Sequence, residues 1–204
     1  MFVKVCGITR LEDALHAVEH GATAIGFVFW PSSPRSIDSH GAAEIIAGLP
    51  SDVTTVGVFV NETVEGIRSV VGKTGIIAVQ LHGDEPPEYA HAIGCPILRS
   101  ASVDDAADIG DAWPPSTTLL VDAFDPVRRG GTGRVVDWSR AAQLARQRPI
   151  VLAGGLTPDN VADAVAVVRP YGVDVSSGVE ATPGVKDPEK VSRFLANARN
   201  AFSS

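Results

Sequence analysis

Short, continuously apolar runs rich in β-branched residues alternate along this chain with longer stretches whose apolar positions recur at helical spacing. The short runs are FVKVC (2–6), TAIGFVF (23–29), TTVGVFV (54–60), IIAVQLH (76–82), PILRS (96–100), TTLLVD (117–122), PIVLA (149–153) and GVDVSS (172–177). The helical pattern appears in LEDALHAVEH, AAEIIAGL, VEGIRSVVGK, PEYAHAI, WSRAAQLARQ and NVADAVAVV, and again in the final PEKVSRFLANARN. VDDAADIGDA, between the fifth and sixth runs, carries the faintest version of it. Thr9 and Glu12 have capping-box spacing, which predicts that the first helix starts at Thr9. Thr157 followed by Pro158 predicts an N-cap and a first-turn proline after the seventh run. Gly21 and Gly48 fall where the first two helices should stop.

Strands that are apolar throughout, with no polar alternation, are buried on both faces, which implies parallel pairing under a layer of helices. Eight such strand–helix units within 204 residues fit an α/β protein built as a single-domain (β/α)8 barrel over residues 1–204. The rival is an open doubly wound sheet. Neither a linker nor a low-complexity segment divides the chain. A composition of 45% apolar and 20% charged residues is that of an ordinary globular protein. The net charge of -7 argues against nucleic acid or an anionic membrane as the principal partner, so any positive patch has to be local. Two cysteines, Cys6 and Cys95, make no disulfide scaffold. Met1 leads directly into a strand without a signal-peptide pattern, and no apolar stretch reaches the roughly 20 residues of a bilayer span. A cytoplasmic location is expected.

In such a barrel the working face is the C-terminal end of the strands. Reactive side chains gather there: Cys6 ends the first strand, Gln80 and His82 the fourth, and Asp122 the sixth, while Asp174 lies in the eighth. Arg35 lies in PSSPRS, after the second strand. Packing alone does not place so many reactive residues on different strand ends. Three glycine-containing loops add a phosphate seat: RRGGTG (128–133) with Gly131, AGGLTP (153–158) with Gly154 and Gly155, and SSGVE (176–180) with Ser176, Ser177 and Gly178. Loops after the seventh and eighth strands are where this fold presents backbone N–H groups to a phosphate.

The motifs KVCGIT, GFVFWPSSPRSI, VGVFVN, VQLHGDEPP, LLVDAF, GGTG, LAGGLTPDNV and VDVSSGVEATPGVKDPEK resemble, in the same order, those of the phosphoribosylanthranilate isomerases of tryptophan synthesis. The resemblance runs from residue 3 to about residue 198. It implies a (β/α)8 barrel that performs an Amadori rearrangement on a small phosphorylated aminosugar without cofactor or metal, as a monomer or homodimer. It also implies that Cys6 is the general base, Asp122 the general acid, Arg35 a binder of the anthranilate side, and Asp174 a holder of a ribose hydroxyl. The chemistry agrees, since a thiolate accepts a proton and a protonated carboxyl donates one. Gln80 and His82 are the remaining candidate substrate contacts. Trp30 stands where tyrosine is expected and Arg99 where lysine is common.

An unperturbed thiol has a pKa of roughly 8.5, so Cys6 needs a cation nearby to ionise readily. Strand alternation puts Lys4 on the same side as Cys6, one layer deeper, where an ammonium ion requires a counter-ion. The eighth strand closes the barrel beside the first, so Lys4 is expected to pair with Asp174 and to favour the Cys6 thiolate. The alternative has Lys4 reaching out through the barrel bottom. Rival functions are the sister Amadori isomerase of histidine synthesis, a dual-specificity barrel, and a non-catalytic phosphate-ligand binder. The first two use an aspartate where this chain has Cys6.

Overall fold

The computed structural model describes residues 1–122 and 136–204. Among them, eight strands close a barrel in sequence order. They are β1 (Phe2–Cys6), β2 (Ala24–Val28), β3 (Thr54–Phe59), β4 (Ala78–Leu81), β5 (Ile97–Ser102), β6 (Thr118–Asp122), β7 (Ile150–Leu152) and β8 (Gly172–Val175). Every neighbouring pair is parallel, and β8 returns to β1 with Lys4 opposite Asp174. The helices between them are α1 (Leu11–Glu19), α2 (Ser39–Ala47), α3 (Val64–Thr74), α4 (Tyr89–Ala92), α5 (Ala106–Ala112), α6 (Trp138–Gln147), α7 (Val161–Val168) and α8 (Pro188–Phe202). None of the described helices is long and apolar enough to cross a membrane. The expected (β/α)8 barrel is therefore the observed one.

Alternation along the strands divides the apolar residues between two cores. Outward-facing Val3, Val5, Ile25, Phe27, Leu119 and Val121 pack into one core with helix residues such as Ala14, Ala17, Val161 and Phe194. Inward-facing Ala24, Val56, Ala78, Leu98, Leu120 and Val151 fill the barrel floor, with Phe2 beneath them. The floor is apolar and the layer above it is polar, which is what confines the chemistry to one end.

Helix starts differ locally from expectation. Arg10, not Thr9, occupies the N-cap of α1, and no side chain caps it. The Thr9 hydroxyl instead donates to the Gly184 carbonyl at 2.6 Å, and Glu12 accepts from Arg10 Nε at 2.7 Å. Thr157 and Pro158 form a turn ahead of α7, whose N-cap is Asn160. The Asn160 Oδ1 reaches back to the Thr157 N–H at 2.8 Å. Asp38, Asp137 and Asp187 cap α2, α6 and α8 by accepting from first-turn N–H groups. The Gly21 and Gly48 stops agree with the structure: Gly21, at φ +104°, follows α1, and Gly48 is the C-cap of α2. PEYAHAI forms only the four residues of α4.

One element had no counterpart in the sequence pattern. After β8 and a 3-10 turn over Ser177–Val179, β9 (Glu180–Thr182) and β10 (Val185–Lys186) form an antiparallel hairpin. Its turn contains Gly184 at φ +84°, a backbone conformation that favours glycine. Through the Thr9 bond this hairpin is tied to the loop after β1.

Candidate active site

Above the apolar floor, the inward face carries Lys4 on β1, Gln80 on β4, Ser100 on β5, Asp122 on β6 and Asp174 on β8. Cys6, buried, ends β1 one step higher. Lys4 is fully buried and donates from Nζ to Asp174 Oδ1 at 3.0 Å, so the expected ion pair is present and Lys4 does not reach out through the bottom. Room for this arrangement comes from β2. A Cβ on Gly26 would stand 2.8 Å from Cys6 Sγ and 2.9 Å from Lys4 Cε.

The groups around Cys6 pull its thiol in opposite directions. Burial pushes its thiol above the ordinary thiol range; Lys4 pulls it down, Asp174 adds to the rise, and Lys186 opposes it. Lys4 thus acts in the expected direction, and desolvation outweighs it. Lys4 keeps its own proton firmly. Burial opposes its charge, yet Asp174 and Cys6 outweigh that and hold it above 10.5.

On the other side of the barrel the polar groups are an amide, a hydroxyl and an imidazole. Gln80 Nε2 donates to Ser100 Oγ at 3.1 Å and approaches His82 Nδ1 at 3.0 Å. Ser100 Oγ lies 2.8 Å from the same nitrogen. Donors converging on Nδ1 place the ring proton on Nε2. That nitrogen faces Asp122 Oδ2 at 3.8 Å. The Gln80 Oε1 is buried with no hydrogen-bond partner among the described residues, an acceptor left for a donor from elsewhere.

Asp122, Asp174, Gly154, Gly155, Ser176, Ser177 and Gly178 line one cleft that opens to solvent. Gly154 and Gly155 both have positive φ, at +76° and +66°. The loops after β7 and β8 therefore meet as the glycine motifs implied. Gly131 and the rest of RRGGTG lie outside the described residues.

Arg35 is placed differently from a free loop arginine. Its Nε and Nη2 donate to Glu180 Oε1 and Oε2 at 2.8 and 2.7 Å, a bidentate pair to the hairpin. Glu180 Oε1 also accepts from Lys186 Nζ at 3.0 Å and from the Gly184 N–H at 3.2 Å. Burial alone would raise the Glu180 carboxyl, but Arg35 and Lys186 outweigh it and hold it below 4.5. Sequence reading missed Glu180 and Lys186. The Pro183–Gly184 turn between short polar segments was the available signal.

A closed parallel barrel with a thiol, carboxyl groups and a histidine at the C-terminal strand ends, beside a glycine-lined cleft, has the architecture of a (β/α)8-barrel enzyme. Residues 3–197 match the family model described as N-(5'phosphoribosyl)anthranilate (PRA) isomerase. The N-(5'-phosphoribosyl)anthranilate isomerase of Citrifermentans bemidjiense is 50% identical over 198 residues, covering 97% of this chain and 96% of that protein. The Geobacter metallireducens protein of the same name is 47% identical over 198 residues, covering 97% and 98%. Among solved structures, phosphoribosyl anthranilate isomerase from Thermotoga maritima superposes with a TM-score of 0.89 at 43% identity, covering 98% of this chain and 99% of that one. A phosphoribosyl anthranilate isomerase structure in complex with reduced 1-(o-carboxyphenylamino)-1-deoxyribulose 5-phosphate gives a TM-score of 0.87 at 42% identity, with the same coverage. The chain belongs to the N-(5'-phosphoribosyl)anthranilate isomerase family and is an isomerase of tryptophan biosynthesis.

Proposed function

We propose that the chain, acting as one barrel over residues 1–204, converts N-(5-phosphoribosyl)anthranilate into 1-(2-carboxyphenylamino)-1-deoxyribulose 5-phosphate. Asp122 protonates the ring oxygen of the aminosugar, the C1′–O bond breaks, and the nitrogen lone pair forms an iminium ion. Cys6 then takes the proton from C2′, and the electron pair left behind neutralises the iminium as an enolamine. Tautomerisation of the enolamine gives the ketone. No electrons enter or leave, so the residues of the site suffice without a cofactor.

The observation that carries this reading is the arrangement on the inner face. A thiol on β1 and a carboxyl on β6 share the barrel mouth, and the carboxyl lines the same cleft as Gly154, Gly155 and residues 176–178. The phosphate seats on those loops, Arg35 takes the anthranilate carboxylate, and Asp174, Gln80 and His82 meet the sugar hydroxyls. The Gln80 Oε1 suits a hydroxyl donor. The protein works in the cytoplasm as a monomer or homodimer. A fluorescence assay following consumption of the anthranilate ribotide tests the assignment. Cys6→Ala and Asp122→Asn should each lower turnover by about 10²–10⁴-fold. Full turnover in either variant would remove that residue from the chemistry.

A further inference from the structure

The substrate of the proposed reaction carries an anion at each end, a carboxylate on the aromatic ring and a phosphate on the sugar. The two groups assigned to grip them are not independent in this fold. Lys186 Nζ, whose side chain is only 1% exposed, donates both to Glu180 Oε1 at 3.0 Å and to the Ser176 carbonyl at 3.2 Å. Glu180 in turn clamps Arg35 through both carboxylate oxygens. The backbone of the phosphate loop, a buried ammonium, a buried carboxylate and the guanidinium thus form one continuous chain of charged hydrogen bonds. Two cations against one carboxylate leave the chain with one positive charge, which suits anions at either end.

Both ends also approach the residue that follows β1. A Cβ on Gly7, the residue after Cys6, would stand 2.6 Å from Arg35 Cδ and 3.1 Å from Ser176 Oγ. The stem of Arg35 and the Ser176 side chain therefore both lie close to Gly7, the neighbour of Cys6. The hairpin holding Glu180 and Lys186 is anchored twice more, by Thr9 on Gly184 and by the Lys186 N–H on Asp13 Oδ2 at 2.9 Å.

We propose that Lys186 and Glu180 are positioning residues that lock Arg35 and the Ser176 loop into a single unit, so that the enzyme reads the separation of the substrate's two anionic ends. Neither residue touches the reacting atoms. Each acts through Arg35, and the proposal rests on the substrate roles of Arg35 and residues 176–178 given above. Because affinity for a ligand held at both ends depends on how rigidly the two grips are spaced, loosening the link weakens the whole ligand.

The test is a double-mutant cycle read by titration calorimetry with the reduced product analogue, reduced 1-(o-carboxyphenylamino)-1-deoxyribulose 5-phosphate. Lys186→Met should weaken its binding by about tenfold in the wild-type background and by less than about threefold once Arg35 is already replaced by Met, because the two act as one unit. An equal loss in both backgrounds, or no loss in either, overturns the proposal. Glu180→Gln replaces Lys186→Met in a parallel cycle that leaves no unpaired carboxylate, so a double variant that fails to fold does not end the test. A wild-type protein that neither binds the analogue nor isomerises the ribotide would instead overturn the functional reading, a result distinguishable from failure of the cycle.

Discussion

The two sides of the barrel mouth solve opposite problems with different chemistry. On β1 and β8, full charges meet in a buried layer: Lys4 against Asp174 at 3.0 Å, beneath a buried thiol. On β4, β5 and β6, the groups leading to Asp122 are an amide, a hydroxyl and an imidazole joined by hydrogen bonds of 2.8 to 3.1 Å. A base needs help toward its anionic form, and a fixed cation gives it. An acid must keep a proton until it is used, and a neutral imidazole favours loss of that proton less than a full cation would. The difference fits the proposed roles, with charges packed around the proposed base and an amide, a hydroxyl and an imidazole leading to the proposed acid.

Breaking the charged side should cost most. Lys4→Met leaves Asp174 buried without its counter-ion, and urea unfolding should show a loss of about 3–5 kcal/mol. Next comes the space that lets the charges sit where they do. Gly26→Ala would drive a methyl group into Cys6 Sγ and Lys4 Cε. It should destabilise the fold by about 1–3 kcal/mol, measured the same way, and lower kcat more than it raises KM because the sulfur is displaced. The smallest effect belongs to the neutral side. Ser100→Ala removes one of the donors on His82 Nδ1 and should cost roughly 1 kcal/mol of stability. The comparison is sharpened by nitrogen NMR of His82, which should show the Nε2–H tautomer in the wild type and a mixture of tautomers in the variant.

Much of this contrast was legible in the sequence, and the reason is periodicity. Strand alternation put Lys4 and Cys6 on one face, and closure of a parallel barrel put β8 beside β1, so the Lys4–Asp174 pair followed from counting. The meeting of the AGGLTP and SSGVE loops followed from the same closure. Two things were not legible. The net state of Cys6 depends on how completely it is desolvated, and depth of burial is a property of the packed barrel. The partner of Arg35 lies 145 residues away in a hairpin whose strands have three and two residues, too short to show any period. Thr9 illustrates the same blindness on a smaller scale. Its spacing to Glu12 fits a cap, but the hairpin's Gly184 carbonyl competes for its hydroxyl and wins.

The claim that Lys4 and Asp174 set the basicity of Cys6 in opposite senses is tested most directly by the rate of Cys6 alkylation against pH, with Cys95 replaced by Ser. The wild-type midpoint should lie above that of an exposed thiol, because burial raises it. Lys4→Met removes the cation that pulls it down and should move the midpoint higher still, while Asp174→Asn removes an anion that pushes it up and should move it lower. A midpoint that stays put, or falls, in Lys4→Met would contradict the account.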